Sequence, residues 1–102
     1  MAEFVTVGNA DDVEDESMVR FEVEGEPVTV ARVQGSLYAF GDYCPHAMCS
    51  LADGWVEGTT LTCPCHGSQF DVTSGAVITP PAVDPLETHE VRVEDGDLQI
   101  GT

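Results

Sequence analysis

Two short motifs constrain this chain more than anything else in it: Cys44-Pro45-His46 and, 16 residues later, Cys63-Pro64-Cys65-His66. They lie in a stretch from about Gly41 to Pro85 that is rich in Gly, Pro, Cys and His. A structureless loop of that length is unusual in a compact domain, so something other than an apolar core has to organise it. The four cysteines, Cys44, Cys49, Cys63 and Cys65, are confined to the middle of the chain. A disulfide framework normally spreads its cysteines to close long loops. Cysteines clustered beside histidines point instead to a metal.

Length and charge narrow the setting. The 102 residues suit one domain, with 42% hydrophobic residues for a modest core. No apolar run approaches the ~18 residues of a membrane-spanning helix. The opening Met1-Ala2-Glu3-Phe4 has neither the basic start nor the apolar segment of a secretory signal, so the expected location is cytoplasmic. Asp and Glu number 19 against three basic residues, Arg20, Arg32 and Arg92, for a net charge of -16. Nothing in such a chain can neutralise phosphates, which excludes nucleic acid and anionic membranes as partners. The charge either steers the chain toward proteins with basic docking surfaces or only solvates it and suits a salty or hot habitat.

Outside the central stretch the pattern is β. Glu3-Phe4-Val5-Thr6-Val7 alternates and ends at Gly8-Asn9. Ala10 to Val13 is expected to form one helical turn. Val19, Phe21 and Val23 make a strand that turns at Gly25. Val28, Val30 and Val33 make the next, turning at Gln34-Gly35, and Leu37 to Phe40 the third, so these strands form a meander. Glu87 to Glu94 alternates around Val91 and Val93. Asp95-Gly96 then suits a type I′ hairpin turn, with Asp97 to Gly101 returning.

Each cysteine motif brings one thiolate and one imidazole to a loop. Two such loops facing each other could give two thiolates to one iron and two imidazoles to another, the ligand set of a Rieske 2Fe–2S centre. A Cys₂His₂ zinc site is a rival, but one residue inside Cys44-Pro45-His46 is short for paired zinc ligands. Cys44 and Cys49 also open the all-cysteine plant-type pattern, which then fails because the next cysteine is Cys63. Ordinary core thiols and surface histidines remain the bland alternative.

The sequence resembles the Rieske ferredoxins and the wider Rieske domain family. The resemblance rests on Cys44-Pro45-His46, Leu51 with Asp53-Gly54, Cys63-Pro64-Cys65-His66-Gly67-Ser68, Phe70-Asp71, Thr73-Ser74-Gly75, Pro81-Ala82 and Pro85-Leu86. It implies an all-β Rieske fold: three small antiparallel sheets, with two cluster-binding loops projecting from a β base. Residues 1–102 would be a single domain, with a cluster-binding subdomain at about 42–85 inserted in a base formed by 1–41 and 86–102. It further implies one 2Fe–2S cluster, with Cys44 and Cys63 on the buried iron and His46 and His66 on the outer one. Around the cluster it implies roles for Gly67, Ser68, Phe70 and Pro81, the last in a proline-bearing covering loop.

Cys49 and Cys65 depart from the type. Stand-alone ferredoxins of aromatic-ring oxygenases usually lack both, whereas respiratory Rieske proteins join such a pair as a disulfide. The resemblance therefore implies a Cys49–Cys65 disulfide. That is unusual in a reducing cytoplasm, and burial against the cluster is expected to shield it. Ser68 matches the respiratory serine that donates to a bridging sulfide. Phe70 stands where those proteins usually carry a tyrosine donating to a ligand sulfur. Two thiolates neutralise an oxidised core of charge +2, while four would leave a dianion. Rieske potentials accordingly lie at about -150 to +300 mV against about -400 mV for plant-type ferredoxins.

The implied function is one-electron transfer, not catalysis. The donor would be a flavin-dependent reductase or other low-potential donor, and the acceptor a terminal oxygenase of the ring-hydroxylating kind, or another acceptor. A respiratory-type carrier, a redox-sensing regulatory module and a zinc-stapled interaction module are the alternatives. His89 reads as an exposed strand residue, Trp55 as packing under the loop between the ligand motifs, and Met48 as a shield or docking rim.

Overall fold

The computed structural model describes residues 3–44, 49–65, 67–80 and 84–101. Three antiparallel sheets account for the fold. The outer sheet has the order β1 (Phe4–Asn9), β11 (Asp97–Gly101), β10 (Val91–Glu94). The middle sheet has the order β2 (Ser17–Val23), β3 (Glu26–Val33), β4 (Ser36–Gly41), β9 (Thr88–His89). The third comprises β5 (Trp55–Glu57), β6 (Thr60–Thr62), β7 (Gln69–Asp71) and β8 (Val77–Thr79), in that order. Among the described residues no helix is long and apolar enough to cross a membrane.

The layering follows from strand parity. Side chains alternate between the faces of a sheet, and the middle sheet is apolar on both. Val19, Phe21, Val23, Val28, Val30, Leu37 and Ala39 face one core, where Leu98 and Ile100 of β11 and Val5 and Val7 of β1 meet them. Met18, Ala31, Val33, Tyr38 and Phe40 face the other core, with Val56, Leu61 and Phe70 of the third sheet. Val33 therefore lies on the opposite face from Val28 and Val30, although all three share one strand. The middle sheet is sandwiched between the outer sheet and the sheet that carries the second cysteine motif.

Three two-residue turns set the register. Glu24-Gly25, Gln34-Gly35 and Asp95-Gly96 each place both residues at positive φ, with the first at 52° in every case. This is the type I′ turn, whose twist matches that of the flanking strands. It closes Val23 against Glu26, Val33 against Ser36 and Glu94 against Asp97. The expected turn after β1 is a 3-10 turn over Ala10–Asp12, capped by Asn9 accepting from the Asp11 N–H at 2.8 Å. Arg32 holds it to β3, donating to the carbonyls of Val13 at 2.7 Å and Ala10 at 2.8 Å.

The structure corrects one strand. Glu87 to Glu94 is not a single strand but two in different sheets. Ala39 pairs with His89 in the middle sheet, and Val91 pairs with Ile100 in the outer one. The chain changes sheets at Glu90, whose carbonyl accepts from the Gly101 N–H at 2.8 Å. Alternation in sequence does not register such a switch, because the side-chain period continues through it. His89 is half-buried rather than exposed.

Gly75 and Gly96 share the same backbone conformation, φ +82, yet differ in surroundings. A Cβ on Gly96 would meet nothing within 4 Å, whereas one on Gly75 would press on Thr88 Cγ2 at 2.9 Å and the Leu86 carbonyl at 3.0 Å. Both alanine variants should lose about 1 kcal/mol to backbone strain. Gly75→Ala should lose a further ~1–3 kcal/mol from overpacking. Equal losses for the two variants in chemical unfolding would contradict this packing.

Candidate metal centre

The second cysteine motif is the connection between β6 and β7, whose strands pair through Leu61 with Phe70 and Thr62 with Gln69. Its root is closed by the Cys63 N–H donating to the Ser68 carbonyl at 2.8 Å. The Gly67 N–H donates to the Cys63 carbonyl at 3.2 Å, and Gly67 turns the chain at φ +77. The first motif follows β4 and closes on itself in the same manner. The Cys44 N–H donates to the Cys49 carbonyl at 2.9 Å, Tyr43 bridges Ser50, and the Leu51 N–H donates to the Asp42 carbonyl at 2.7 Å. In both loops a cysteine at the root binds the carbonyl five residues on. The described roots of the two loops are built alike.

A disulfide joins them: Cys49 and Cys65 are bonded, with their Cα atoms 6.5 Å apart. Cys44 and Cys63, the cysteines outside that bond, are 3% and 1% exposed and belong to one core with Leu51, Leu61 and Phe70. This donor chemistry fits a 2Fe–2S cluster. Two thiols from separate loops enter the same apolar interior, where release of their protons on metal binding would supply the pair of thiolates for one iron. His46, His66, Met48 and Pro81 lie outside the described residues. Ser68 and Phe70 are fully buried, Phe70 in the same core as the two cysteines.

Cys65 is exposed and Cys49 half-buried. One expectation is corrected. Trp55 does not pack beneath the loop; it is 51% exposed at the edge of the third sheet. In the short strand Trp55-Val56-Glu57 it is Val56, at 6% exposure, that faces the core.

Two residues gain a physical role that their types alone did not convey. A Cβ on Gly54 would collide with the Thr62 carbonyl and sit 3.2 Å from Pro64 Cδ. The chain leaving the first loop thus passes directly over the root of the second. Asp42 is 1% exposed, and its Oδ1 accepts from Thr29 Oγ1 at 2.6 Å, Ser50 Oγ at 2.8 Å and the Ala52 N–H at 3.3 Å. It ties the middle sheet to the far end of the first loop. One aspartate among 19 acidic residues carried no signal in sequence.

The Phe70-Asp71 and Thr73-Ser74-Gly75 motifs form the turn from β7 to β8. Asp71 Oδ1 accepts from Thr73 Oγ1 at 2.6 Å and the Thr73 N–H at 2.9 Å. The threonine hydroxyl, then the N–H, hold its carboxyl below the usual carboxylate value. Its contribution to stability is present above the unfolded-state pKa and disappears as pH falls through the lowered one. Exposure keeps that contribution small.

A family model for the Rieske [2Fe-2S] domain matches residues 3–90. The ferredoxin component of the naphthalene 1,2-dioxygenase/salicylate 5-hydroxylase systems of Ralstonia sp. is 31% identical over 85 residues, covering 83% of this chain and 82% of the relative. The Sphingomonas yanoikuyae B1 ferredoxin superposes with a TM-score of 0.92 at 30% identity, over 98% of this chain and 99% of that one. A chain from the complex of reduced oxygenase and oxidised ferredoxin in carbazole 1,9a-dioxygenase superposes at 0.89 with 33% identity, over 95% and 91%.

The crossing at Gly54 yields a test. Gly54→Ala should force the two loop roots apart, lowering stability by at least ~1–3 kcal/mol and lowering the iron bound per chain. Gly58→Ala, where a Cβ would meet nothing within 4 Å, is the control and should keep full iron content. Iron retained equally by both variants would show that the roots need no such approach.

Proposed function

The chain belongs to the Rieske [2Fe-2S] domain family and is a one-electron carrier with one 2Fe–2S cluster, and from that premise we propose that it delivers electrons to a terminal, ring-hydroxylating oxygenase. The observation that carries this reading is the convergence of Cys44 and Cys63 in one buried core, beneath loops that the Cys49–Cys65 disulfide joins. Relatives that are ferredoxin components of dioxygenase systems supply the acceptor class. The cluster, when bound, supplies a site that gains and loses one electron.

In this proposal Cys44 and Cys63 hold the buried iron, and His46 and His66 hold the outer one. Ser68 donates to the cluster sulfur, Gly67 lets the second loop turn close to it, and Pro81 covers it. Residues 42–85 act as a cluster-binding subdomain inserted in the base formed by 1–41 and 86–102. The donor is a flavin-dependent reductase, the setting is cytoplasmic, and both partners present basic docking surfaces. Trp55, Thr62, Gln69 and Thr79 form one row across the third sheet, the last rung before the second loop. Trp55 and the nearby Ile78 are 51% and 53% exposed and offer a partner an apolar anchor beside that loop. Aromatic side chains that become buried on binding dominate many interfaces.

The disulfide favours a second reading, a carrier of the respiratory type with a higher potential. Phe70 argues against it. Its ring carries no hydroxyl, so Phe70 cannot supply the donor that the respiratory tyrosine gives a ligand sulfur.

The purified protein should contain two irons and two labile sulfides per chain, counted by chemical assay. His46→Cys and His66→Cys should each lower the potential, because a thiolate replaces a neutral ligand. A native protein containing only zinc refutes the function. Phe70→Tyr should add a donor to a sulfur that becomes more negative on reduction. A difference of about 1–2 kcal/mol between the two redox states corresponds to roughly +40 to +90 mV. Ser68→Ala should move the potential the other way in voltammetry. An intact Phe70→Tyr cluster with an unraised potential removes Phe70 from this role.

A further inference from the structure

Asp42 is a buried carboxylate for which electron transfer, as described above, has no use. Its Oδ1 takes three hydrogen bonds, while its Oδ2 is buried and accepts none among the described residues. The nearest cation is the Arg20 guanidinium, whose Nε lies 3.7 Å from Oδ2, beyond hydrogen-bond distance. Arg20 is 45% exposed and Asp42 is not exposed at all. An asparagine would supply the same Oδ1 acceptor without burying a charge, and burying an incompletely paired charge is costly. The latch alone therefore does not account for the aspartate.

Position does. Asp42 lies at the base of the first loop, two residues before Cys44, and its main chain is fixed on both sides. Its N–H donates to the Pro27 carbonyl at 3.1 Å, and its carbonyl accepts from the Leu51 N–H at 2.7 Å. A charge fixed in a poorly solvated place acts on its neighbourhood far more strongly than one in water. We propose that Asp42 positions the first cluster loop and at the same time biases the cluster against reduction, and that Arg20 is the counter-charge that limits this bias. Adding an electron to a site beside a buried carboxylate is disfavoured; the half-exposed guanidinium offsets part of that effect. The proposal rests on the electron-carrier reading and assigns the loop latch and the potential to one pair of residues.

The test is voltammetry of the cluster-loaded protein, alongside thermal unfolding. Asp42→Asn keeps the Oδ1 acceptor and removes the charge, so the potential should rise. Arg20→Gln removes the counter-charge at a half-exposed position, so the potential should fall. The reduction equilibrium should change several-fold in each case, and a tenfold change is 59 mV for one electron. Ser50→Ala removes one latch bond without altering charge; it should lower the melting temperature and shift the potential less than either. Shifts of the same sign in Asp42→Asn and Arg20→Gln, or none in either, overturn the proposal, as a latch without an electrostatic role would lower stability only. If Asp42→Asn fails to fold, the Arg20→Gln potential decides alone: a fall supports the proposal and its absence overturns it. A wild-type protein that takes up no iron–sulfur cluster refutes the carrier reading instead, so the two failures are distinct.

Discussion

Because the middle sheet is covered on both faces, neither neighbouring sheet can be displaced without exposing a row of its side chains. Ala39 and Phe40 are successive residues, 3% and 0% exposed, and they enter different cores. Each buried side chain of Val or Phe size contributes about 1.5–3 kcal/mol. Uncovering the five or more that β2, β3 and β4 send to either side would cost on the order of the whole stability of a domain this size. The outer sheet thus supports the cysteine motifs through the middle sheet. It closes the far face of the sheet against which the third sheet packs, and the third sheet carries the second loop.

On that platform the loops need little of their own. Each is closed at its root by a main-chain hydrogen bond from the cysteine N–H, which satisfies the backbone and directs the cysteine side chain into the core. The disulfide then joins the two loops. For a closed loop of 15 intervening residues it contributes about 3 kcal/mol in the chain-entropy model. Gly54 brings the roots together because a hydrogen atom is all that fits between its Cα and the Thr62 carbonyl. Asp42 joins this assembly to the middle sheet through Thr29, a fully buried polar residue on the face that points to the cluster core. A buried threonine between Val28 and Val30 is explained by the carboxylate that it satisfies.

What could be read from sequence follows the length of the signal. The meander β2–β3–β4 is legible because β2 and β3 present spaced apolar residues, β4 a short apolar run, and each pattern is followed by a glycine. The hairpin at Asp95-Gly96 was legible from its dipeptide, and Glu24-Gly25 and Gln34-Gly35 adopt the same turn with residues less typical of it. The third sheet was legible only through the family resemblance. Trp55-Val56-Glu57, Thr60-Leu61-Thr62 and Gln69-Phe70-Asp71 each send a single apolar residue, Val56, Leu61 and Phe70, to the core. One residue defines no period, so these strands carry no sequence signal, and the large ring of Trp55 suggests packing under the loop although Val56 is the residue that faces the core. The cysteine motifs stood out by type and spacing. Asp42 did not, because burial is what distinguishes it from the other carboxylates, and burial is a property of the fold.

The same reasoning changes what the charge means. Each of the three arginines is engaged within the chain. Arg20 faces Asp42. Arg32 donates to carbonyls of the turn after β1. Arg92 bonds Gln99 at 2.6 Å, pairs with Glu94 at 3.1 Å and stacks over Phe4 at 4.1 Å. With no lysine in the sequence, the described surface has no cation committed to an approaching molecule. Recognition by opposite charge is therefore one-sided: the partner supplies the positive groups and this chain the carboxylates. Such an encounter is fast at low ionic strength and slows as salt screens it. It also discriminates little among basic surfaces, because long-range attraction depends on summed charge more than on its placement. Selectivity then has to come from short-range contact, and the exposed apolar side chains of Trp55 and Ile78 beside the second loop are suited to supply it.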